Sequence, residues 1–378
     1  MTSPPYFRMR SYLPGSHPLK PLEIGLEQSL DLYVTHLMQV AHEIHRVLRD
    51  DGTFWLVIGD SSNSMAGRQN LAAMCGTSSH NKKSDTTAFS LRRGIGVRRK
   101  NILGVPWRLA FALQEDGWIL RSEIIWHKPA PMPESVSDRP TRAHEQVFLL
   151  AKKQRYYYDA DAIRDPYIDA RENKAGARGG KTAMRGQAGL KPRGNMAPDA
   201  SNLDRFYGAG GANIRDVWSI QPSPYRGKHC ATFPAALAAR CIAAGTSEAG
   251  CCPNCLAPWN RVTNREHRRG TDRKEGSRAL VAFPGRPHRG LKNHQTAVVV
   301  RTLRWESSCA CTTHKPIPCT VLDPFGGAGT TAVAAGLAWR SSLLIELDDA
   351  SVAEARTRIR RELGLFAGSA AALEAIPA

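Results

Sequence analysis

The sequence predicts an α/β fold built around a doubly wound sheet, and three observations predict it. Apolar residues recur at helical spacing in some segments, and short β-branched or aromatic runs lie between those segments. A glycine-rich turn joins one such run directly to a helix. With 378 residues, 42% hydrophobic and 23% charged, the chain can bury one large core and has length left for a second, small module.

The first helix is expected over 28–48, where Leu30, Val34, Leu37, Ala41, Ile44 and Leu48 recur at alternating three- and four-residue spacing behind Ser29 as N-cap. Asp51-Gly52 then turns the chain into an apolar, aromatic run over 53–58 that reads as a buried strand ending at Gly59-Asp60-Ser61. Residues 62–100 are polar, with basic clusters at Lys82-Lys83, Arg92-Arg93 and Arg98-Arg99-Lys100, and read as a mobile loop. Pro106 opens a second helix that stops near Gly117 and feeds a strand over 118–126. Pro129, Pro131 and Pro133 forbid regular structure until an apolar strand over 145–151.

From 159 to 215 Gly, Arg, Lys, Asn and Ala dominate, so this stretch builds no core of its own and reads as a basic recognition segment. Strand character returns at 217–220, and 234–244 reads as a short helix with Gly245 just beyond its end. A polar, Arg-rich insertion separates Cys255 from Cys309. A strand at 320–322 leads into the glycine turn 323–331, followed by a helix to 337, a strand at 342–345 and an Arg-rich amphipathic helix over 351–363. The Ala-rich tail after Phe366 is expected to fray. The organisation expected is 1–158, a first half; 159–215, the basic segment; 216–250, a connecting segment; 251–319, a cysteine-rich insert; 320–365, the glycine-turn half; and 366–378, a tail.

A formal net charge of +18 and a pI near 9.8 point to a polyanionic partner, because Lys and Arg that neutralise phosphates supply sequence-independent affinity for nucleic acid. Charge alone does not separate DNA from RNA. No apolar run is long enough to span a bilayer and the amino terminus lacks a secretory apolar stretch, so the expected location is the cytoplasm and no membrane partner is expected. Nine cysteines are too sparse for a disulfide scaffold, and four sit in close pairs that suggest metal thiolates.

The glycine turn, Asp323-Pro324-Phe325-Gly326-Gly327-Ala328-Gly329-Thr330-Thr331, points backbone N–H groups of a helix start at whatever binds there. Its spacing is neither that of a dinucleotide fingerprint nor that of a phosphate-cradling loop ending in Gly-Lys-Ser/Thr. Glu346 follows the next strand at the separation where a carboxylate can take both ribose hydroxyls of an adenosine, and the bland alternative is a tight turn beside an exposed Glu. At the other end, Ser3-Pro4-Pro5-Tyr6 is stiff, because two prolines fix φ and remove two N–H groups. Tyr6 offers a flat face for an extruded base, while the Ser3 hydroxyl and the Pro4 carbonyl can accept the two N–H bonds of its amino group. Proline-rich ligands also carry Pro-Pro-Tyr, so context decides this motif.

Taken together, Ser3-Pro4-Pro5-Tyr6 upstream and Asp323-Pro324-Phe325-Gly326-Gly327-Ala328-Gly329-Thr330 downstream resemble the two signatures of amino DNA methyltransferases. Their order is similar to that of the permuted beta group, which methylates N4 of cytosine or N6 of adenine. The segments 47–52 running into Gly59-Asp60-Ser61, Gly104-Val105-Pro106-Trp107-Arg108, Trp126-His127-Lys128-Pro129 and His229-Cys230-Ala231-Thr232-Phe233-Pro234 resemble that family too. The resemblance implies a Rossmann-like sheet that binds S-adenosylmethionine. Asp323, Phe325, Gly327 and Gly329, with Pro324 and Thr330 beside them, would shape the methionine end of its site. Glu346 would take its ribose, and Phe233-Pro234 would form a further wall. Ser3, Pro4, Pro5 and Tyr6 would hold the flipped base, and Ser at the first position favours cytosine N4 over adenine N6.

A cytosine-C5 enzyme needs a Cys nucleophile, and Pro318-Cys319 leads straight into a buried strand, so Cys319 is expected to be a core thiol. Cys252, Cys255, Cys309 and Cys311 have the composition of a structural zinc site, against four free thiols as the alternative. Double-stranded DNA is the expected partner, with a cognate restriction endonuclease possible and the oligomeric state open. His36, His42 and His45 are expected to face solvent. Only Met1 and Thr2 precede Ser3, whereas the family's catalytic loop hangs from a central buried strand. Either translation starts upstream, or another segment fills that place, or the chain is an impaired, zinc-ribbon DNA-binding protein.

Overall fold

The computed structural model describes residues 1–63, 97–98, 100–165, 213–223, 225, 227, 232–269, 296–312 and 315–364. The expectations for most of 62–100, most of 159–215, the motif 229–231 and the tail lie outside them. The chain divides into two compact units: Met1–Tyr158, Asp216–Trp259 and Ser307–Ala378 form the first, and Asp159–Arg215 with Asn260–Glu306 the second.

The first unit is the α/β body. Helix α1 (Leu30–Val47) starts where the Ser29 hydroxyl accepts from the Leu32 N–H at 3.1 Å, and it buries Leu30, Tyr33, Leu37, Ala41 and Ile44. Strand β1 (Thr53–Ile58) follows, then α2 (Val105–Glu115), β2 (Ile119–His127), β3 (His144–Ala151) and β4 (Val217–Ser219). These strands form one sheet in the order β1-β3-β2-β4, with β3 antiparallel to both neighbours and β4 parallel to β2. Phe54, Leu56, Ile58, Phe148 and Leu150 pack on α1 and α2 through Leu37, Leu109, Leu113 and Trp118. Trp55, Val57, Val147 and Leu149 are buried on the opposite face, which is why β1 reads as a continuous apolar run instead of an alternating one.

Helix α3 (Ala235–Gly245) starts behind Pro234. Gly245 is its last helical residue and not the residue beyond it. A Cβ there would stand 2.5 Å from Thr53 Oγ1 and 3.0 Å from Trp55 Nε1, so glycine lets the helix end close onto β1. After the second unit, β7 (Thr320–Asp323), α4 (Thr330–Leu337), β8 (Ser341–Leu344) and α5 (Asp349–Leu363) complete the body, with β7 and β8 parallel. Among the described helices none is long and apolar enough to cross a membrane.

Met1 and Thr2 lie between β1 and β7. The Thr2 N–H donates to the Trp55 carbonyl at 3.0 Å and the Val57 N–H to the Thr2 carbonyl at 2.9 Å, in parallel pairing, while the Met1 amino group donates to the Leu322 carbonyl at 3.0 Å. The end of the expected supporting strand is therefore occupied, and Ser3 leaves directly from it. Behind Met1 a cavity of about 410 Å³ lies between Thr53–Trp55 and Thr320–Leu322, so no described segment takes the rest of that strand's place.

The second unit contains a two-stranded ribbon of β5 (Trp259–Arg269) and β6 (Thr296–Ser307), where the sequence suggested only a polar insertion. Asp159 caps a short 3-10 turn (Ala160–Ile163) and pairs with Arg261 at 2.9 Å. The Arg261 guanidinium lies 4.4 Å over the Trp305 ring. Its polar Asn, Arg and Thr residues occupy both faces of β5, so no period-two apolar pattern marks it as a strand.

Two of the three histidines of α1 are not simply solvent-facing. His36 Nδ1 lies 3.0 Å from Glu27 Oε1, and His45 packs edge-on against Trp118 with ring centroids 4.9 Å apart. His42 is exposed as expected and meets Asp116 at 2.8 Å.

Candidate active site

A cavity of about 500 Å³ opens where Ser3–Tyr6, the glycine turn and Glu346 converge. Ser3, Pro4, Pro5, Tyr6, Phe233, Pro324, Phe325, Gly327, Thr330 and Glu346 all line it, drawn from both ends and the middle of the chain. Asp323, Gly329 and Pro234 are not among the residues that line it.

The catalytic-loop candidate is clamped from behind. The Tyr33 hydroxyl donates to the Pro5 carbonyl at 2.7 Å, and Phe7 is buried beside Tyr33 with ring centroids 5.2 Å apart. The Arg8 N–H donates to the Gly25 carbonyl, while its guanidinium reaches the carbonyls of Glu27 and Gln28. Among the described residues the Pro4 carbonyl takes no hydrogen bond, so it is free to accept one. The ring of Tyr6 lies against Gly59, where a Cβ would stand 2.5 Å from Tyr6 Cε2. Its hydroxyl donates to Glu145 Oε2 at 2.7 Å. Burial and the Glu145 carboxylate hold the Tyr6 phenol well above its ordinary range.

Asp323 organises the glycine turn. It is buried, and its carboxylate accepts from the Phe325 N–H at 3.1 Å, the Thr331 hydroxyl at 2.5 Å and the Thr2 hydroxyl at 2.5 Å. Burial pushes its carboxyl up, opposed by the Met1 ammonium and the two hydroxyls. Gly329 adopts φ +74° at the start of α4, a conformation that favours glycine. The Gly327 N–H donates to Glu346 Oε2 at 2.7 Å, and Glu346 Oε1 accepts from the Leu347 and Asp348 N–H groups. Oε2, with one donor, keeps a lone-pair site for a ligand hydroxyl.

Sequence reasoning missed Glu145 and Thr2 as parts of this site, and it quoted Gly59 and Lys128 only within motifs. Strand pairing places Glu145 opposite Trp126, and Lys128, two residues on, pairs with Glu145 and lies 4.5 Å over the Trp126 ring. A charged residue at the solvent end of an apolar strand carries little signal by itself.

Cys252, Cys255, Cys309 and Cys311 converge, with their sulfurs within 4.8 Å of one another. Cys252 and Cys255 sit in a tight turn, closed by bonds of 2.8 Å from the Leu256 N–H to the Cys252 carbonyl and from the Cys252 N–H to the Ala257 carbonyl. The Ser308 hydroxyl donates to the Pro258 carbonyl at 2.5 Å, drawing the two pairs together. Four sulfurs this close fit the corners of a tetrahedral thiolate site. Cys319 is buried, as expected of a core thiol.

A family model for N6/N4 methyltransferases, described as DNA methylase, matches residues 1–252. The chain is 38% identical to the type II methyltransferase M.SmaI of Serratia marcescens over 252 residues, 66% of this chain and 69% of that protein. It is likewise 38% identical to M.Cfr9I of Citrobacter freundii over 248 residues, 65% of each chain. The matches thus span about two thirds of the length of these relatives. Among solved structures, the cytosine-N4-specific PvuII DNA methyltransferase aligns with a TM-score of 0.45 at 14% identity, covering 97% of this chain and 84% of that one.

Proposed function

Because the chain belongs to the N6/N4 DNA methylase family, we propose that it methylates the exocyclic N4 of a cytosine flipped out of double-stranded DNA. The observation that carries this reading is the shared cavity, which Ser3, Pro4 and Tyr6 line together with the glycine turn and Glu346. When bound, S-adenosylmethionine would supply an electrophilic methyl group. The turn from Pro324 to Thr330 and the Glu346 carboxylate would hold it, and Phe233 would wall the same space. Ser3 and Pro4 would accept the two amino N–H bonds of the base, aiming its nitrogen lone pair, while Tyr6 stacks on the ring.

Ser at the first position of the catalytic loop supports cytosine N4, and the relatives named as type II methyltransferases support a cognate restriction endonuclease as partner. The motif order supports the permuted arrangement. The basic segment 159–215 would read the target sequence, and the four-cysteine cluster would hold a structural zinc.

The test is incubation with tritiated S-adenosylmethionine and mixed-sequence DNA, followed by digestion to nucleosides. Label is expected in N4-methylcytosine. Label in N6-methyladenine would replace the base assignment, and cofactor binding without transfer would leave a DNA-binding protein.

A further inference from the structure

We infer that Glu145 is a positioning residue of the base site: it holds the Tyr6 ring against Gly59 as a fixed surface on which an extruded base stacks. This rests on the proposed function, which sets a flipped base on Tyr6.

The sheet brings the parts together by register. Ile58 at the end of β1 pairs with Gln146 of β3, which brings Gly59, one residue on, level with Glu145. Glu145 in turn pairs with Trp126 of β2. Side chains alternate along a strand, so Glu145 and Trp126 leave the sheet on the face that buries Trp55, Val57, Val147 and Leu149. Gly59 has no side chain to place on that face, and the Tyr6 ring takes the space. A Cβ there would stand 2.5 Å from Tyr6 Cε2, 3.1 Å from Cδ2 and 3.2 Å from Cζ. The phenol ends beside Glu145 and donates to its Oε2 at 2.7 Å. Glu145 Oε1 takes the Lys128 ammonium, which lies 4.5 Å over the Trp126 ring. That ring is itself fixed, because its indole N–H donates to the Ile220 carbonyl at 2.8 Å.

A tyrosine side chain swings about two torsions. Gly59 stops the Tyr6 ring on one side, and a bond from its far end to a carboxylate, stronger than one between neutral groups, stops the swing. The Glu145 side chain is only 17% exposed, and a carboxylate so placed needs an opposite charge, which Lys128 supplies. The Tyr33 hydroxyl fixes the adjoining backbone at the Pro5 carbonyl. Tyr6 is therefore held at its backbone, its ring and its hydroxyl. In-line transfer needs the amino nitrogen at one angle, and a tilted ring would carry the stacked base away from Ser3 and Pro4. Glu145 acts through Tyr6, on the rate of transfer and not on the binding of either substrate.

The experiment compares Glu145→Ala, Glu145→Gln, Tyr6→Phe and the double variant Tyr6→Phe/Glu145→Ala with the wild type. It measures kcat and KM on mixed-sequence DNA with tritiated S-adenosylmethionine, beside cofactor affinity. Tyr6→Phe keeps the ring and the Glu145–Lys128 pair, so it tests the bond even where Glu145→Ala fails to fold. Tyr6→Phe and Glu145→Ala are each expected to lower kcat on the order of tenfold to a hundredfold, with KM and cofactor affinity near wild type. The double variant should be no slower than the slower single variant, because both substitutions remove the same bond. Glu145→Gln, which keeps an oxygen for the phenol to bond, should recover most of the rate lost in Glu145→Ala. A wild-type kcat in Tyr6→Phe, losses that multiply in the double variant, a loss confined to KM, or a Glu145→Gln variant as slow as Glu145→Ala would overturn the positioning role. A wild type that labels no base would instead overturn the function on which that role rests.

Discussion

The Thr2 hydroxyl donates to the Asp323 carboxylate at 2.5 Å, joining residues 321 positions apart. Thr2 immediately precedes the loop proposed to hold the base, and Asp323 opens the glycine turn proposed to hold the cofactor. Both side chains are buried, and the same carboxylate also takes Thr331 and the Phe325 N–H. The two walls of the cavity are thus set against each other through one buried acid.

Thr2→Val keeps the shape of the side chain and deprives Asp323 of a donor. Leaving a buried charged acceptor short of a hydrogen bond costs about 1–3 kcal/mol, so a lower denaturation midpoint and weaker cofactor binding are expected, with Thr2→Ser close to wild type. Chemical denaturation and calorimetric titration check this, and an unshifted midpoint in Thr2→Val would remove the bond from the account.

Gly59→Ala places a methyl group where Tyr6 Cε2 stands, at 2.5 Å. The ring must move, and misplacement of a substrate-positioning group by about 1 Å can cost on the order of a hundredfold in turnover. Steady-state kinetics should show the loss in kcat, while cofactor affinity, which depends on the opposite wall, stays near wild type.

Glu346→Gln removes the negative charge that accepts the Gly327, Leu347 and Asp348 N–H groups. Hydrogen bonds to charged groups contribute about 1.5–3 kcal/mol each, so the cofactor dissociation constant should rise by at least about tenfold. Equilibrium binding of S-adenosylmethionine measures it directly. An unchanged constant would place the ribose elsewhere.

Purified protein should carry about one zinc ion per chain, and a Cys252→Ser variant markedly less. A strong chelator should make the four cluster thiols reactive toward a thiol reagent. Cys241 and Cys251, whose thiols burial pushes up to about 12, should stay inert at neutral pH because the reactive thiolate is absent. Zinc affinity should fall as pH falls, since protons compete for the sulfurs.

Local periodicity was enough to read β1 at its observed bounds, α1 with its Ser29 cap, and the strand, turn and helix around Asp323. Each of these is set by residues within a few positions of one another. The β5–β6 ribbon escaped because polar residues on both faces erase the alternation that marks a strand. Gly245 was misplaced because its reason is the approach of Thr53 and Trp55, far away in the chain. The cysteine pairs were visible as pairs, and only folding brought the two pairs together.

By itself the sequence determined the chemical parts: a stiff Ser-Pro-Pro-Tyr loop, a glycine turn with a following Glu, and two chelating cysteine pairs. Those properties reside in side-chain type and short spacing. The tertiary structure alone decided that Thr2 meets Asp323, that Tyr6 rests on Gly59 and bonds Glu145, and that Met1 and Thr2 lie between β1 and β7. Contacts across tens to hundreds of residues come from strand pairing and core packing, which no local pattern encodes.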